Sequence, residues 1–182
     1  MPAKKQVPRE KILSSALKIL KEKGFDALNI KQLAKEAGCS TQPVYLSFSG
    51  MDELREELIF VAINEFENFM KSESKDGKIR LYDIDYIRFA KSEPRLFCFL
   101  FMRPGSFSEI KRVLLPIIDW SVGELSEAYR ISRNEADFLH DNLWMHAHGI
   151  ASMIATEFCE WNMEKAKFML DDCKQAFVKK YE

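Results

Sequence analysis

Apolar residues recur at three- and four-residue steps along almost the whole chain, which is the period of an amphipathic α-helix. We find no strict alternation of apolar and polar residues, the pattern typical of a half-buried β-strand. The periodicity predicts helices over 8–23, 30–37, 41–48, 49–71, 79–92, 94–102, 107–130, 133–160 and 163–181. The sequence therefore indicates an all-α fold.

Residues that favour helix ends support these segments. Gly24 and Gly38 follow the first two helices, where a left-handed residue commonly ends a helix. Capping-box pairs, in which a polar residue bonds the backbone three residues on, are predicted for Asn29 with Gln32, Ser106 with Glu109, and Ser132 with Glu135. Pro116 falls inside a predicted helix and is expected to kink it.

The polar stretch SESKDGK, residues 72–78, is the best candidate for a domain boundary. It follows the long fourth helix, and Gly77 interrupts the helical pattern. We predict a DNA-binding domain of three short helices over 1–50, a connecting helix over 51–71, and a helical regulatory and dimerisation domain over 72–182.

Charge is distributed unevenly along the chain. The net charge is −1, but residues 1–50 carry nine Lys and Arg against four Asp and Glu, whereas the remainder carries eighteen against twenty-four. A basic head on an acidic body indicates an anionic partner for the head. A solvated basic helix without such a partner is the alternative.

Several classes of function leave no trace in the sequence. The four cysteines have neither zinc-binding nor disulfide-framework spacing, and no signal peptide or apolar run of membrane-spanning length is found. His140, His146 and His148 lie on one predicted helix, at positions that favour structural or pocket roles over a shared metal ion. We therefore expect a cytoplasmic protein with no metal, cofactor, membrane contact or enzymatic activity.

Residues 30–48, IKQLAKEAGCSTQPVYLSF, have the pattern of a helix-turn-helix motif. Ala34 and Ala37 allow two short helices to approach closely, and Gly38 can adopt the conformation that the turn needs. The second helix, with Ser40 at its N-cap, should carry base-contacting groups on its outer face: Thr41, Gln42 and Ser47. Its inner edge should carry Val44, Tyr45 and Phe48.

The run LAKEAGCSTQPVYLSF followed by SGMDEL closely resembles the signature of TetR-family regulators, over roughly residues 8–60. The segment WMHAHGIASMI, residues 144–154, also resembles part of the regulatory domain of many members. The resemblance implies that Tyr45 contacts a phosphate, that Thr41 and Gln42 face bases, and that Asn29 and Lys31 contact the DNA backbone. Met51 stands where the family usually has Lys, which removes one expected phosphate contact.

Aromatic residues are more frequent over residues 86–120 than a thin helical layer needs. They are either ordinary core or the wall of a ligand cavity, and the pattern alone does not separate the two. If there is a cavity, we predict that its lining includes Tyr86, Phe89, Phe97, Phe101, Trp120, Trp144 and His148.

The last two predicted helices are both amphipathic and could pair with their copies in a second chain as a four-helix bundle. The residues predicted for this interface are Leu143, Ala147, Ile150, Ile154, Leu170, Cys173 and Phe177. Packing of these residues within a single chain is the alternative.

Taken together, the patterns predict a sequence-specific DNA-binding regulator that binds a pseudo-palindromic duplex as a homodimer. We expect a repressor that a small hydrophobic or aromatic ligand releases. Two rival classes stay open: a helical protein that uses its helix-turn-helix to bind another protein, and a helical enzyme acting on a hydrophobic small molecule.

Overall fold

The computed structural model describes residues 7–181, and every regular element in that range is helical. Besides a 3₁₀ turn at Phe25–Ala27, the described elements are α1 Arg9–Lys23, α2 Ile30–Ala37, α3 Thr41–Ser47, α4 Met51–Glu73, α5 Ile84–Ser92, α6 Pro94–Phe101, α7 Ser106–Tyr129, α8 Arg133–Ala155 and α9 Met163–Val178. The predicted all-α fold class is confirmed. The chain forms two compact units, one up to residue 65 and one from residue 66, so that the division falls within α4.

The first unit contains α1 to α3 and the first part of α4. Its core is made by apolar residues that share one face of each helix: Ile12, Ala16, Leu20, Leu33, Ala37, Val44, Leu54 and Leu58. The turn between α2 and α3 is the one that the sequence predicts, since Gly38 has a φ of 70° and the Cys39 N–H donates to the Ala34 carbonyl. Asn29 accepts a hydrogen bond from the Gln32 N–H at 3.0 Å, which caps α2.

The second unit contains the end of α4 and α5 to α9. One part of its core is a buried aromatic cluster consisting of Phe66, Tyr86, Phe89, Phe97 and the half-buried Phe101. Another part packs α7, α8 and α9 together through Val122, Leu125, Ala136, Leu139, Leu143 and Val178.

Some predicted helix ends differ from the observed ones. The capping box of Ser132 and Glu135 is confirmed, but the one predicted for Ser106 and Glu109 is wrong. Ser106 is a buried first residue of α7, and Glu109 instead accepts a hydrogen bond from Arg103 at 2.6 Å. The helix predicted to begin at 79 begins at Ile84, after turns at residues 81–83.

Candidate nucleic-acid interface and ligand cavity

The third helix presents a polar face to solvent. Val44 and Phe48 are buried, and their spacing of four residues turns the opposite side of α3 outward. Thr41, Gln42 and Tyr45 are exposed, as is Ser40 just before the helix. Tyr45 is 61% exposed, so the prediction that it belongs to the inner edge of α3 is wrong. Its exposure agrees with the phosphate contact that the family resemblance implies.

The other predicted DNA-contacting residues lie around this helix. Asn29 and Lys31 are exposed at the start of α2, whereas Ser47 is half-buried at the end of α3. Sequence reasoning missed Leu46, which is 79% exposed beside Tyr45. An apolar side chain on a recognition helix can contact the methyl group of thymine.

Arg9, at the start of α1, joins the N-terminal helix to α3 and α4. Its guanidinium donates to the Glu53 carboxylate at 2.6 Å and to the Glu57 carboxylate at 3.1 Å, and it also donates to the backbone carbonyl of Ser47. The guanidinium carbon lies 4.1 Å from the centroid of the Phe48 ring. We call these residues the Arg9 cluster. It fixes the C-terminal end of α3, so it helps to orient the exposed face of that helix.

The Arg9 cluster perturbs the titration of Glu53. The hydrogen bond from Arg9, followed by bonds from the backbone N–H and the hydroxyl group of Ser49, lowers the pKa of Glu53 from 4.5 to about 2. Ionised Glu53 therefore stabilises the fold above about pH 4.5, and this stabilisation is lost as the pH falls toward 2. No local sequence signal marks this cluster, because Arg9 and its carboxylates are far apart in the chain.

Replacing Arg9 with Met should lower the urea concentration at the denaturation midpoint at pH 7. Two carboxylates and the Ser47 carbonyl lose the hydrogen bonds that Arg9 donates to them. The difference from the wild type should shrink between pH 4.5 and about 2, where Glu53 becomes protonated. Urea denaturation followed by circular dichroism at several pH values measures both effects. Lys35→Met, which removes an exposed cation from α2, is the control, and an equal response of the two variants would contradict the role of the cluster.

Part of the positive charge of the first unit is neutralised within it. The Lys18 ammonium lies 2.5 Å from the Glu36 carboxylate, and that of Lys21 lies 3.4 Å from Glu65. Lys31 and Lys35 are exposed on α2, the helix that precedes α3. Lys31, in the first turn of α2, is thus suited to contact a polyanion, and the helix dipole at that end also favours phosphate.

The second unit contains a cavity of about 360 Å³ between α7 and α8, closed at one side by the end of α6. It is lined by Phe101, Ser106, Phe107, Ile110, Leu114, Trp144, Met145, His148 and Gly149. Three of the predicted lining residues are therefore present: Phe101, Trp144 and His148.

The other predicted lining residues lie elsewhere. Tyr86, Phe89 and Phe97 are fully buried in the aromatic cluster and do not line the cavity. Trp120 lies in a separate groove, where the Lys78 ammonium and the Arg80 guanidinium carbon are 5.4 and 5.1 Å from its ring centroid. Tyr86, Phe89 and Phe97 are therefore ordinary core, whereas Phe101 and Trp144 line a cavity.

One hydrogen bond links the cavity to the aromatic cluster. The hydroxyl oxygen of Tyr86 lies 2.9 Å from Nδ1 of His148. Burial raises the pKa of Tyr86 well above its ordinary range, and burial lowers the pKa of His148 below 6.5. Both groups are therefore uncharged at neutral pH.

The remaining histidines have separate surroundings. His140 is buried against the rings of Tyr82 and Trp144, and burial lowers its pKa. Nε2 of His146 lies 3.1 Å from the Met169 carbonyl oxygen. Across residues 7–181 no group of three or more His, Cys, Asp or Glu side chains is arranged to hold a metal ion.

The surface of α8 and α9 differs from the predicted dimer interface. Leu143, Ala147, Ile150 and Leu170 are buried within the chain, so they cannot contact a second copy, whereas Ile154, Cys173 and Phe177 are half-buried. The large apolar residues exposed on these two helices are Phe138, Met145, Met153 and Phe168. In the described part of the chain, no helix is long and apolar enough to cross a membrane.

These features define a helical protein with a helix-turn-helix in its first unit and a cavity in its second. Residues 12–58 match the family model described as bacterial regulatory proteins, tetR family, which covers α2, α3 and the turn between them. The helix-turn-helix unit is therefore similar to the N-terminal domain of that family, in agreement with the resemblance in the sequence. A comparison with curated protein sequences found no match.

Solved structures share the fold over nearly the whole chain at low sequence identity. A TetR-like transcriptional regulator from Rhodococcus sp. RHA1 has a TM-score of 0.69 and 15% identity, with 94% of this chain and 96% of that chain covered. NalD, the secondary repressor of the MexAB-OprM multidrug efflux pump in Pseudomonas aeruginosa, has a TM-score of 0.55 and 15% identity, with 92% and 94% covered. A TetR variant from Acinetobacter baumannii in complex with minocycline has a TM-score of 0.52 and 17% identity, with 96% and 98% covered.

Proposed function

We propose that the protein is a cytoplasmic transcriptional repressor that binds a pseudo-palindromic operator as a homodimer and is released by a small hydrophobic ligand. The observation that carries this proposal is the exposed surface of α3, where Thr41, Gln42 and Tyr45 are open to solvent while Val44 and Phe48 are buried. Such a helix fits the major groove, where hydroxyl and amide groups can bond to base edges. Exposed Asn29 and Lys31 would contact the backbone.

Dimerisation follows from the size of this interface and from the exposed apolar residues of the second unit. One short recognition helix reads only a half-site, so specific binding requires two copies related by twofold symmetry. Large apolar side chains exposed on α8 and α9 supply a surface that a second copy can bury. We therefore place the interface on Phe138, Met145 and Phe168 rather than on the buried residues of the same helices.

Ligand release is supported by the connection between the cavity and α4. His148 lines the cavity and bonds Tyr86, whose ring lies 6.3 Å from that of Phe66 on α4. A ligand that binds one arrangement of these residues more tightly than another would favour the position of α4 that belongs to the preferred arrangement. Because α4 continues into the first unit, such a shift would change the distance between the two recognition helices of a dimer. To lower DNA affinity a hundredfold, the ligand must bind the conformation that does not bind DNA more tightly than the other one by about 2.7 kcal/mol.

Two structural neighbours agree with this type of regulation. NalD is a repressor of a multidrug efflux pump, and the Acinetobacter TetR variant was crystallised with minocycline. The rival classes have less support. If the protein bound only another protein, the exposed cations of α2 and the exposed surface of α3 would have no affinity for DNA at low salt. An enzyme would need a set of catalytic groups, which neither the sequence motifs nor the cavity lining supplies.

Replacing Gln42 with Ala should weaken binding to the preferred operator by about 1–3 kcal/mol and relax the sequence preference, if Gln42 makes a bidentate contact with a base. The operator is first selected from random DNA duplexes with the wild-type protein, and both proteins are then titrated in band-shift experiments. Binding should weaken as salt concentration rises.

Tyr45→Phe is the matched comparison, because it removes a phosphate-directed hydroxyl group and keeps the ring. It should weaken binding to all sequences about equally. If neither substitution changes DNA binding, the assignment of α3 as the recognition helix is wrong.

A further inference from the structure

The chemistry of the cavity restricts what it can bind. Its lining contains no Asp, Glu, Lys or Arg, and its walls are mainly the rings of Phe101, Phe107 and Trp144 together with the aliphatic Ile110 and Leu114. An ion entering this site would lose hydration without gaining a counter-charge, which is costly. The site therefore favours uncharged ligands, and flat rings that stack against its aromatic walls.

The single imidazole of the lining has a defined donor and acceptor pattern. Tyr86 is fully buried, so its hydroxyl proton needs an acceptor, and Nδ1 of His148 lies 2.9 Å away. Because an uncharged imidazole has one protonated and one unprotonated nitrogen, an accepting Nδ1 places the proton on Nε2. His148 thus presents an N–H donor on the edge of the ring that does not face Tyr86.

We propose that this cavity binds an uncharged aromatic molecule with a hydrogen-bond acceptor, such as a carbonyl oxygen, that accepts the Nε2 proton of His148. The role of this ligand in regulation rests on the proposed function, but its chemistry does not. The cavity volume of about 360 Å³ is at the lower end of small-molecule sites and suits one or two fused rings. Tyr86 acts as a positioning residue, because it determines which nitrogen of His148 carries the proton.

Three naphthalene derivatives of similar size test the ligand class on the full-length protein by isothermal titration calorimetry without DNA. These are 2-acetylnaphthalene, which has an acceptor, 2-isopropylnaphthalene, which has none, and 2-naphthoate, which is charged. We expect 2-acetylnaphthalene to bind at least tenfold more tightly than either of the others. Equal affinities, tighter binding of 2-naphthoate, or no binding of any of the three would overturn the proposal.

Variants then test the residues. His148→Phe keeps an aromatic ring and removes the donor, so it should abolish the preference for 2-acetylnaphthalene over 2-isopropylnaphthalene. Trp120→Phe, in the separate groove, is the control and should keep that preference. A preference that survives in His148→Phe, or is lost equally in both variants, would contradict the assignment.

The tautomer is tested without any ligand. In protein with ¹⁵N-labelled histidine, long-range ¹H–¹⁵N correlation spectra distinguish a protonated ring nitrogen from an unprotonated one. His148 should carry its proton on Nε2 in the wild type and show both tautomers in Tyr86→Phe. A proton on Nδ1 in the wild type would overturn the proposal. Neither this measurement nor the calorimetry involves DNA, so failure here and failure of operator binding are separate results.

Discussion

Replacing Phe66 with Ala should lower the free energy of unfolding of the second unit by about 3–5 kcal/mol, the range for truncating a buried Phe. Phe66 is 1% exposed, and its ring lies 5.1 Å from that of Phe89 and 5.2 Å from that of Phe101. The substitution removes these edge-to-face contacts and the one with Tyr86, and it leaves a cavity in the buried aromatic cluster. Such a loss is a large part of the stability of a typical domain.

Tryptophan fluorescence during urea denaturation measures this effect selectively, because the three tryptophans, Trp120, Trp144 and Trp161, all lie in the second unit. Phe158→Ala is the control, since Phe158 is 78% exposed and its truncation should change stability by no more than about 0.5 kcal/mol. Similar denaturation midpoints for the two variants would show that Phe66 is not part of a packed core.

If the proposed dimer forms through α9, replacing Phe168 with Glu should give a monomer and reduce operator affinity by about a hundredfold or more. Phe168 is 71% exposed on α9, so a carboxylate there is tolerated by the isolated chain but is costly when a second copy buries it. A monomer also loses the gain in affinity that comes from joining two half-site contacts, which is typically 10²–10⁴. Sedimentation at micromolar concentration and band-shift titration measure the two effects.

Leu115→Glu is the control for this experiment. Leu115 is also an exposed apolar residue, but it lies on α7 rather than on α8 or α9. This variant should stay dimeric and bind DNA like the wild type. A Phe168→Glu protein that sediments as a dimer would move the interface away from α9, and a wild type that sediments as a monomer would contradict dimerisation itself.

The helix-turn-helix could be predicted in detail because its causes are local. Asn29 caps α2 within its own first turn, and Gly38 adopts the positive φ that ends that helix. The spacing of Val44 and Phe48 decides which side of α3 is buried, and therefore that Gln42 lies on the exposed side. The pattern alone predicts Tyr45 at the inner edge of α3, because an aromatic residue next to an apolar stripe is expected to belong to that stripe. In the structure its side chain is exposed.

The predictions for the second unit depended on information that is not local. Hydrophobic periodicity shows that a helix has an apolar side, but not whether its own chain, a second copy or a ligand covers that side. On α8, Leu143 and Ala147 pack inward while Phe138 and Met145 stay exposed, although all four are apolar. For the same reason the predicted cavity lining contains Tyr86 and Phe97, which are buried in the core, as well as Trp144, which does line the cavity.

The sequence by itself therefore determined the helical class and the position of the turn between α2 and α3, and its motif gave the resemblance to the tetR family that the match over residues 12–58 supports. Short-range capping and periodicity carry the first two, and these act within a few residues. Only the tertiary structure decided that Arg9 bonds Glu53 and Glu57, that His148 meets Tyr86, and which apolar residues of α8 and α9 stay exposed. These contacts join residues more than forty positions apart or depend on how helices pack, and side-chain packing between distant segments is not encoded in any local pattern.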